Sequence, residues 1–276
     1  MKFLHCGGFR LPLSRPLIMG VVNVTPDSFS DGGQYADTVA AVAHARRLID
    51  EGADLLDIGG ESTRPGAAPV DSDEELARVR PVIESLRDAA IPLSIDTRKP
   101  VVMRAAIAAG ASMVNDIEAL QAPGALHGVA GSGAAVCLMH KRGEPRTMQD
   151  APRYADVVAE VKTFLRERVA AARAAGIESA RIAIDPGFGF GKGVEHNLQL
   201  LRNLGSLLDL DAPLLVGLSR KSTLGALTGR PAGERVHASI AAALLAVQNG
   251  ARIVRVHDVA ATRDALAVWT AVNGEE

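Results

Sequence analysis

Eight short aliphatic runs recur along the chain, at 17–22, 54–58, 92–95, 112–114, 134–139, 181–184, 213–218 and 252–256. Between them lie helical patterns at 38–51, 72–89, 97–109, 154–175, 194–204 and 238–248, a short helix from Ser222, and a last one over 259–272. In the longest, Val157, Val161, Leu165 and Val169 fall at spacing four and Gly176 stops the helix. Strand–helix alternation with no linker and no change of composition predicts a single (β/α)₈ barrel over residues 1–276. A doubly wound sheet is the weaker reading, because the loop after the first strand has no GxGxxG. Residues 3–10 form a small hairpin or an extended lead-in.

Each run carries a polar residue at or just beyond its C-terminal end. In a barrel those ends share one rim. Asn23, Asp57, Asp96, Asn115, Asp185, Lys221, Arg255 and His257 are therefore expected to converge there.

With 276 residues, 47% of them hydrophobic and only 3% aromatic, the core must be packed by Ala, Val, Leu and Ile. Thirty basic and 32 acidic residues leave a net charge of −2, with no basic stripe for nucleic acid or a membrane surface. No apolar run reaches ~18 residues, and the first residues lack a signal-peptide pattern. Cys6 and Cys137 make no disulfide framework or zinc motif. A cytoplasmic protein acting on small molecules is expected.

Asp96, Asp185 and Asn115 together make a surface that accepts N–H donors, which suits a flat heterocycle with an amidine-like edge. One of these aspartates alone would as readily cap a helix or pair with Lys221. The glycine-rich 187–193 segment is not a phosphate loop. Only three residues separate Gly187 from Gly191, and Gly193 follows Lys192 where Ser or Thr is required. Its glycines permit close approach of a planar ligand beside Phe188 or Phe190, though either ring also suits the core. Ser222 and Thr223 open a helix whose free N–H groups favour an anion. Arg255 and His257, two apart on one strand, face the same way and suit phosphate oxygens; a strand-bridging salt link is the alternative for Arg255. No HExxH is present and His140 has no ligand-spaced neighbour. Asn23 with a diphosphate would still serve Mg²⁺, which needs few protein ligands. Cys137, inside a strand, reads as packing.

With these residues in view, the chain resembles the dihydropteroate synthase family of folate biosynthesis over nearly its whole length. Two segments carry the likeness most specifically: 23–33, Asn-Val-Thr-Pro-Asp-Ser-Phe-Ser-Asp-Gly-Gly, and 57–66, Asp-Ile-Gly-Gly-Glu-Ser-Thr-Arg-Pro-Gly. The segments 95–97, 114–116, 138–140, 185–192 and 217–222 also fit. The resemblance implies a transferase that joins 6-hydroxymethyl-7,8-dihydropterin diphosphate to p-aminobenzoate. It releases 7,8-dihydropteroate and pyrophosphate with Mg²⁺ and is a target of sulfonamides. It further implies that Asp96, Asn115, Asp185 and Lys221 hold the pterin, with Met139 and Gly217 lining its slot. Asn23, Arg255 and His257 would hold the diphosphate, Asn23 also touching Mg²⁺. Phe29, Thr63, Pro65, Phe190, Lys221 and Ser222 would frame p-aminobenzoate, and Asp31, Thr63, Arg64, Asp96 and Lys221 would act in the reaction.

Rival readings are a non-catalytic pterin-binding paralogue, a methyltetrahydrofolate-dependent methyltransferase barrel, and a lyase forming a Schiff base at Lys221. The first is expected to have lost Asp31 or Arg64, and the second lacks the 23–33 signature. The third needs a depressed lysine pKa, against which Asp185 acts. The helix at 238–248 is apolar nearly all round and points to a homodimer, as does the resemblance.

Overall fold

The computed structural model describes residues 2–25, 33–62, 69–143, 147–149 and 151–274. It opens with an antiparallel hairpin, β1 (Phe3–Cys6) and β2 (Phe9–Pro12). Then β3 (Leu17–Asn23), β4 (Leu55–Gly59), β5 (Leu93–Asp96), β6 (Met113–Asp116), β7 (Ala135–Met139), β8 (Ile182–Asp185), β9 (Leu214–Val216) and β10 (Ala251–Val256) close into a parallel barrel in chain order. The ring shuts where β10 pairs with β3. Each barrel strand lies within two residues of its aliphatic run.

Alternation along the strands divides the interior in two. Ile18, Val22, Leu56, Ile58, Ile95, Val114, Val136, Leu138, Ile184 and Val254 point outward into the layer beneath the helices. Leu17, Met19, Leu55, Met113, Ala135, Cys137, Ala183, Leu215 and Ile253 point inward and fill the barrel's lower half. The hairpin packs Leu4 and Cys6 against this inner set, with Leu13 beside them, sealing the end where the strands begin. Each Leu, Ile, Val or Met side chain so removed from water contributes about 1.5–3 kcal/mol. Continuing the inward series upward by two residues at a time reaches Asn23, Asp57, Asp96, Asn115, Met139, Asp185, Gly217 and Arg255.

Helices α1 (Gly33–Asp50), α2 (Ser72–Ser85), α3 (Pro100–Ala109), α4 (Ala125–Ala130), α5 (Val157–Ala174), α6 (Val194–Arg202), α7 (Ser222–Thr228), α8 (Val236–Gln248) and α9 (Val259–Asn273) surround the barrel. Val157, Val161, Leu165 and Val169 form the buried face of α5, as their spacing requires. Sequence periodicity missed α4, whose six residues bury only Ala125 and Val129 and follow a left-handed Gly124. At α2 the cap is Asp71, whose Oδ1 accepts from Glu74 N at 2.8 Å. Glu75, in the same first turn, is buried. Outward along α8 run His237, Ala241, Leu245 and Gln248, while Ala242, Ala243, Ala246 and Val247 are buried.

Candidate active site

Four inward residues at the mouth of the barrel are tied together. Arg255 donates from Nε to Asp57 Oδ2 at 2.5 Å and from Nη2 to Asp96 Oδ2 at 2.9 Å. Asn115 Nδ2 donates to the same Asp57 oxygen at 2.9 Å. Burial works against the charge of Arg255, but Asp57 and Asp96 outweigh it and hold the guanidinium's pKa above its usual value. Asp96 is pushed up, by burial and then by the charge of Asp57, with Arg255 opposing. Asp57 Oδ1, Asn115 Oδ1 and Ser94 Oγ are buried without a hydrogen-bond partner among the described residues. Orphaned buried acceptors are costly and are met where a ligand supplies the donors.

Asp185, at the end of β8, accepts from the backbone N–H of Gly187 at 2.7 Å through Oδ1. Burial raises its pKa to about 6, although Gly187, Lys221 and Lys192 all favour the charged form. Lys221 Nζ stands 4.1 Å above the centre of the Phe190 ring, a cation–π arrangement. Its pKa falls to about 8, through burial first and Arg255 second; Asp185 and Asp96 pull it back up. Asp185 thus supports the lysine's charge, as the sequence implied, and burial outweighs that support.

Beside these polar groups Ile117, Met139, Met148 and Phe190 form a small apolar cluster of their own. Phe188 is in the main core instead. Gly217 follows β9, where an added Cβ would lie 3.8 Å from Cβ of Arg255. Ser222 is the exposed first residue of α7. The mouth therefore joins a polar wall of carboxylate and amide oxygens to an apolar wall under a lysine, a pairing that suits a flat, donor-edged ring.

His257 lies just past β10, its Nδ1 3.0 Å from Ser219 Oγ, and its backbone N–H donates to that oxygen at 3.2 Å. Ser219 so orients a ring expected to hold phosphate. Asn23 ends β3, where it is half-buried. Among the described residues no group of three or more His, Cys, Asp or Glu is placed to hold a metal ion. Phe29, Asp31, Thr63, Arg64 and Pro65 lie outside the described residues. The thiol of Cys137 is pushed well up by burial, consistent with packing rather than reactivity.

Sequence reasoning brought Asp57 to the rim but gave it no task, and the structure puts it at the hub of the polar network. Ser219 was also missed, for nothing marks a serine as the support of a histidine 38 residues away. Ile117 and Met148 come from loops beyond the strands, where no periodicity reports an inward face.

Residues 19–257 match the family described as pterin binding enzyme. The chain is 53% identical to the dihydropteroate synthase of Neisseria meningitidis serogroup B, over 97% of this chain and 96% of that one. Its fold superposes at a TM-score of 0.94 on Xanthomonas albilineans dihydropteroate synthase with 4-aminobenzoic acid, at 59% identity over 99% and 98% of the two chains. A second structure of the Xanthomonas albilineans enzyme, in complex with 7,8-dihydropteroate, gives 0.90 at 57% identity, covering 98% of each chain.

Proposed function

Since the chain belongs to the dihydropteroate synthases, within the pterin-binding enzymes, we propose that its barrel mouth binds 6-hydroxymethyl-7,8-dihydropterin diphosphate with Asp96, Asn115, Asp185 and Lys221. The reaction is the condensation of this diphosphate with p-aminobenzoate to give 7,8-dihydropteroate and pyrophosphate. The observation that carries the residue assignment is the set of inward carboxylate and amide oxygens, some without a partner among the described residues, beside an apolar wall. A pterin's amino and ring N–H groups are the donors such oxygens need. Met139 and Gly217 line the slot in this reading.

The bond from the pterin's methylene to the diphosphate oxygen breaks as the arylamine nitrogen bonds to that carbon. The amine then gives its proton to solvent. Electron release from the pterin leaves the carbon cation-like, so fixed carboxylates at Asp96 and Asp185 stabilise the transition state. Remaining N–H groups of Arg255, together with His257 and Asn23, meet the diphosphate. The donor set suits a Mg²⁺ that arrives on that diphosphate: one amide oxygen from Asn23, with phosphate and water supplying the rest. When bound, the ion neutralises charge on the leaving group. The arylamine needs positioning more than activation. Phe190, Lys221 and Ser222 frame it, together with Phe29, Thr63 and Pro65, and Asp31 and Arg64 act at the reacting centre in the same reading.

We further read the protein as cytoplasmic and dimeric. Among the described residues no helix is long and apolar enough to cross a membrane. Leu245 on α8, at 53% exposure, and Val268 and Val272 on α9, which packs against α8, at 66% and 78%, are exposed apolar residues suited to a second copy.

The test is release of pyrophosphate from the purified protein. Release is expected only with pterin diphosphate, p-aminobenzoate and Mg²⁺ together, and sulfonamides should inhibit in competition with p-aminobenzoate. Pterin binding without turnover under those conditions would instead favour a non-catalytic pterin binder.

A further inference from the structure

The loop after β8 carries three glycines with left-handed backbone, Gly187, Gly189 and Gly191, at φ +70°, +79° and +66°. In phosphate-binding loops such turns gather backbone N–H groups around an anion. Here carbonyls are gathered instead. Lys192, 1% exposed, folds back so that Nζ donates to Gly187 O at 2.8 Å and to Phe190 O at 3.1 Å. The same nitrogen lies 2.9 Å from His140 Nδ1 and 3.3 Å from His140 O.

This head group joins two walls of the mouth. Gly187 and Phe190 belong to the loop after β8, and His140 follows Met139 at the end of β7. The two backbones touch so closely that a Cβ on Gly187 would lie 1.8 Å from His140 O, and one on Gly191 2.1 Å from Arg142 O. Further donors finish the enclosure. Gln149 Nε2 donates to Gly189 O, and Tyr154 Oη donates to Gly191 O at 2.9 Å. On the far side Asn197 accepts from Gly189 N and donates to Thr223 Oγ1, both at 2.9 Å. Burial pulls the Lys192 pKa well below the usual lysine range, against a pull upward from Asp185. The tie needs only N–H donors, which the amine has in either protonation state.

We infer that Lys192 is a positioning residue for the pterin slot: its Nζ pins Gly187, and through it the carboxylate of Asp185, and pins Phe190 against the Met139–His140 turn. No ligand need touch it. Gly187 N holds Asp185 Oδ1, and Phe190 carries the face under Lys221. Releasing Nζ frees both walls from their common anchor. The polar network of Asp57, Asn115 and Arg255 includes no group bonded to Lys192.

The inference rests on the pterin assignment above, and its test separates the two. Binding of a free pterin lacking the diphosphate, and of inorganic pyrophosphate with Mg²⁺, is measured by calorimetry on wild type, Lys192→Met and Tyr154→Phe. Wild type that binds no pterin would refute the pterin assignment itself. If wild type binds, Lys192→Met is expected to weaken pterin about tenfold, the scale of a small misplacement of binding groups. Pyrophosphate affinity should change less than about twofold. Tyr154→Phe removes one hydroxyl at an unchanged ring, and should weaken pterin in the same selective way by a few fold even if Lys192→Met does not fold. Equal weakening of both ligands, pterin affinity unchanged in a folded Lys192→Met, or, where Lys192→Met does not fold, pterin affinity unchanged in Tyr154→Phe, would overturn the inference.

Discussion

Arg255 on β10 reaches past β3 to Asp57 on β4, closing an ion pair of 2.5 Å across one side of the barrel mouth. Both partners face inward, and Asp57 is wholly buried. The pair links the proposed pterin wall to the proposed diphosphate wall, so it affects the shape of each.

Removing Asp57 would leave Arg255 paired with Asp96 alone and the buried Asn115 Nδ2 without its acceptor. Asp57→Ala should therefore cost about 1–3 kcal/mol of folding stability, the scale of a buried donor left unsatisfied, measured as a fall in the urea midpoint at unchanged slope. A loss below about 0.5 kcal/mol would mean that Asp57 does not hold the network together and that the hub assignment is wrong.

Asp185→Asn should damage pterin binding before anything else. The amide offers one acceptor oxygen where the carboxylate offers two, and its N–H groups face the ligand's own donors. Arg64→Ala, by contrast, should leave pterin affinity nearly intact and lower turnover. Calorimetry that finds Asp185→Asn binding pterin like wild type would remove Asp185 from the site.

Pterin binding should depend on pH on both sides of neutrality. The pKa of Asp185 is raised to about 6, so falling pH protonates it, removes its charge and turns one acceptor oxygen into a donor. Lys221 titrates near 8, so rising pH removes its cation. The rate constant kcat/KM for pterin diphosphate should be highest between these values and decline outside them. Asp96, whose pKa is also raised, adds to the acid limb. A flat profile from about pH 5 to 9 would show that neither charge matters to binding.

The association state turns on α8. Leu244 is partly buried against the core, whereas Leu245 is 53% exposed, so a charge at 245 tests the surface with least harm to the fold. Light scattering should find wild type at twice the chain mass and Leu245→Glu at the chain mass. Wild type at the mass of one chain would end the dimer reading.

Much of this was legible before any coordinates. The aliphatic runs and their polar ends report both the barrel and its working rim, because backbone alternation is local. Asp96, Asn115 and Asp185 could be placed from that pattern alone. The pattern could not show that Arg255 is held by two carboxylates, since its partners lie 198 and 159 residues away. Lys192 was hidden for another reason. A lysine after a glycine-rich run looks like a ligand for something outside the chain, and only the left-handed turns show that it faces inward.

The hairpin of β1 and β2 has a kinetic consequence. Leu4, Cys6 and Leu13 pack against the lower barrel and close that end among the described residues, so ligands reach the inner wall from the end where the strands finish. Whatever lies deepest must arrive first and depart last. If the pterin occupies the inner wall and p-aminobenzoate the rim at Phe190 and Ser222, the amine arriving early would obstruct its own co-substrate. Excess p-aminobenzoate should then slow the first turnover of protein not yet loaded with pterin, while leaving preloaded protein unaffected.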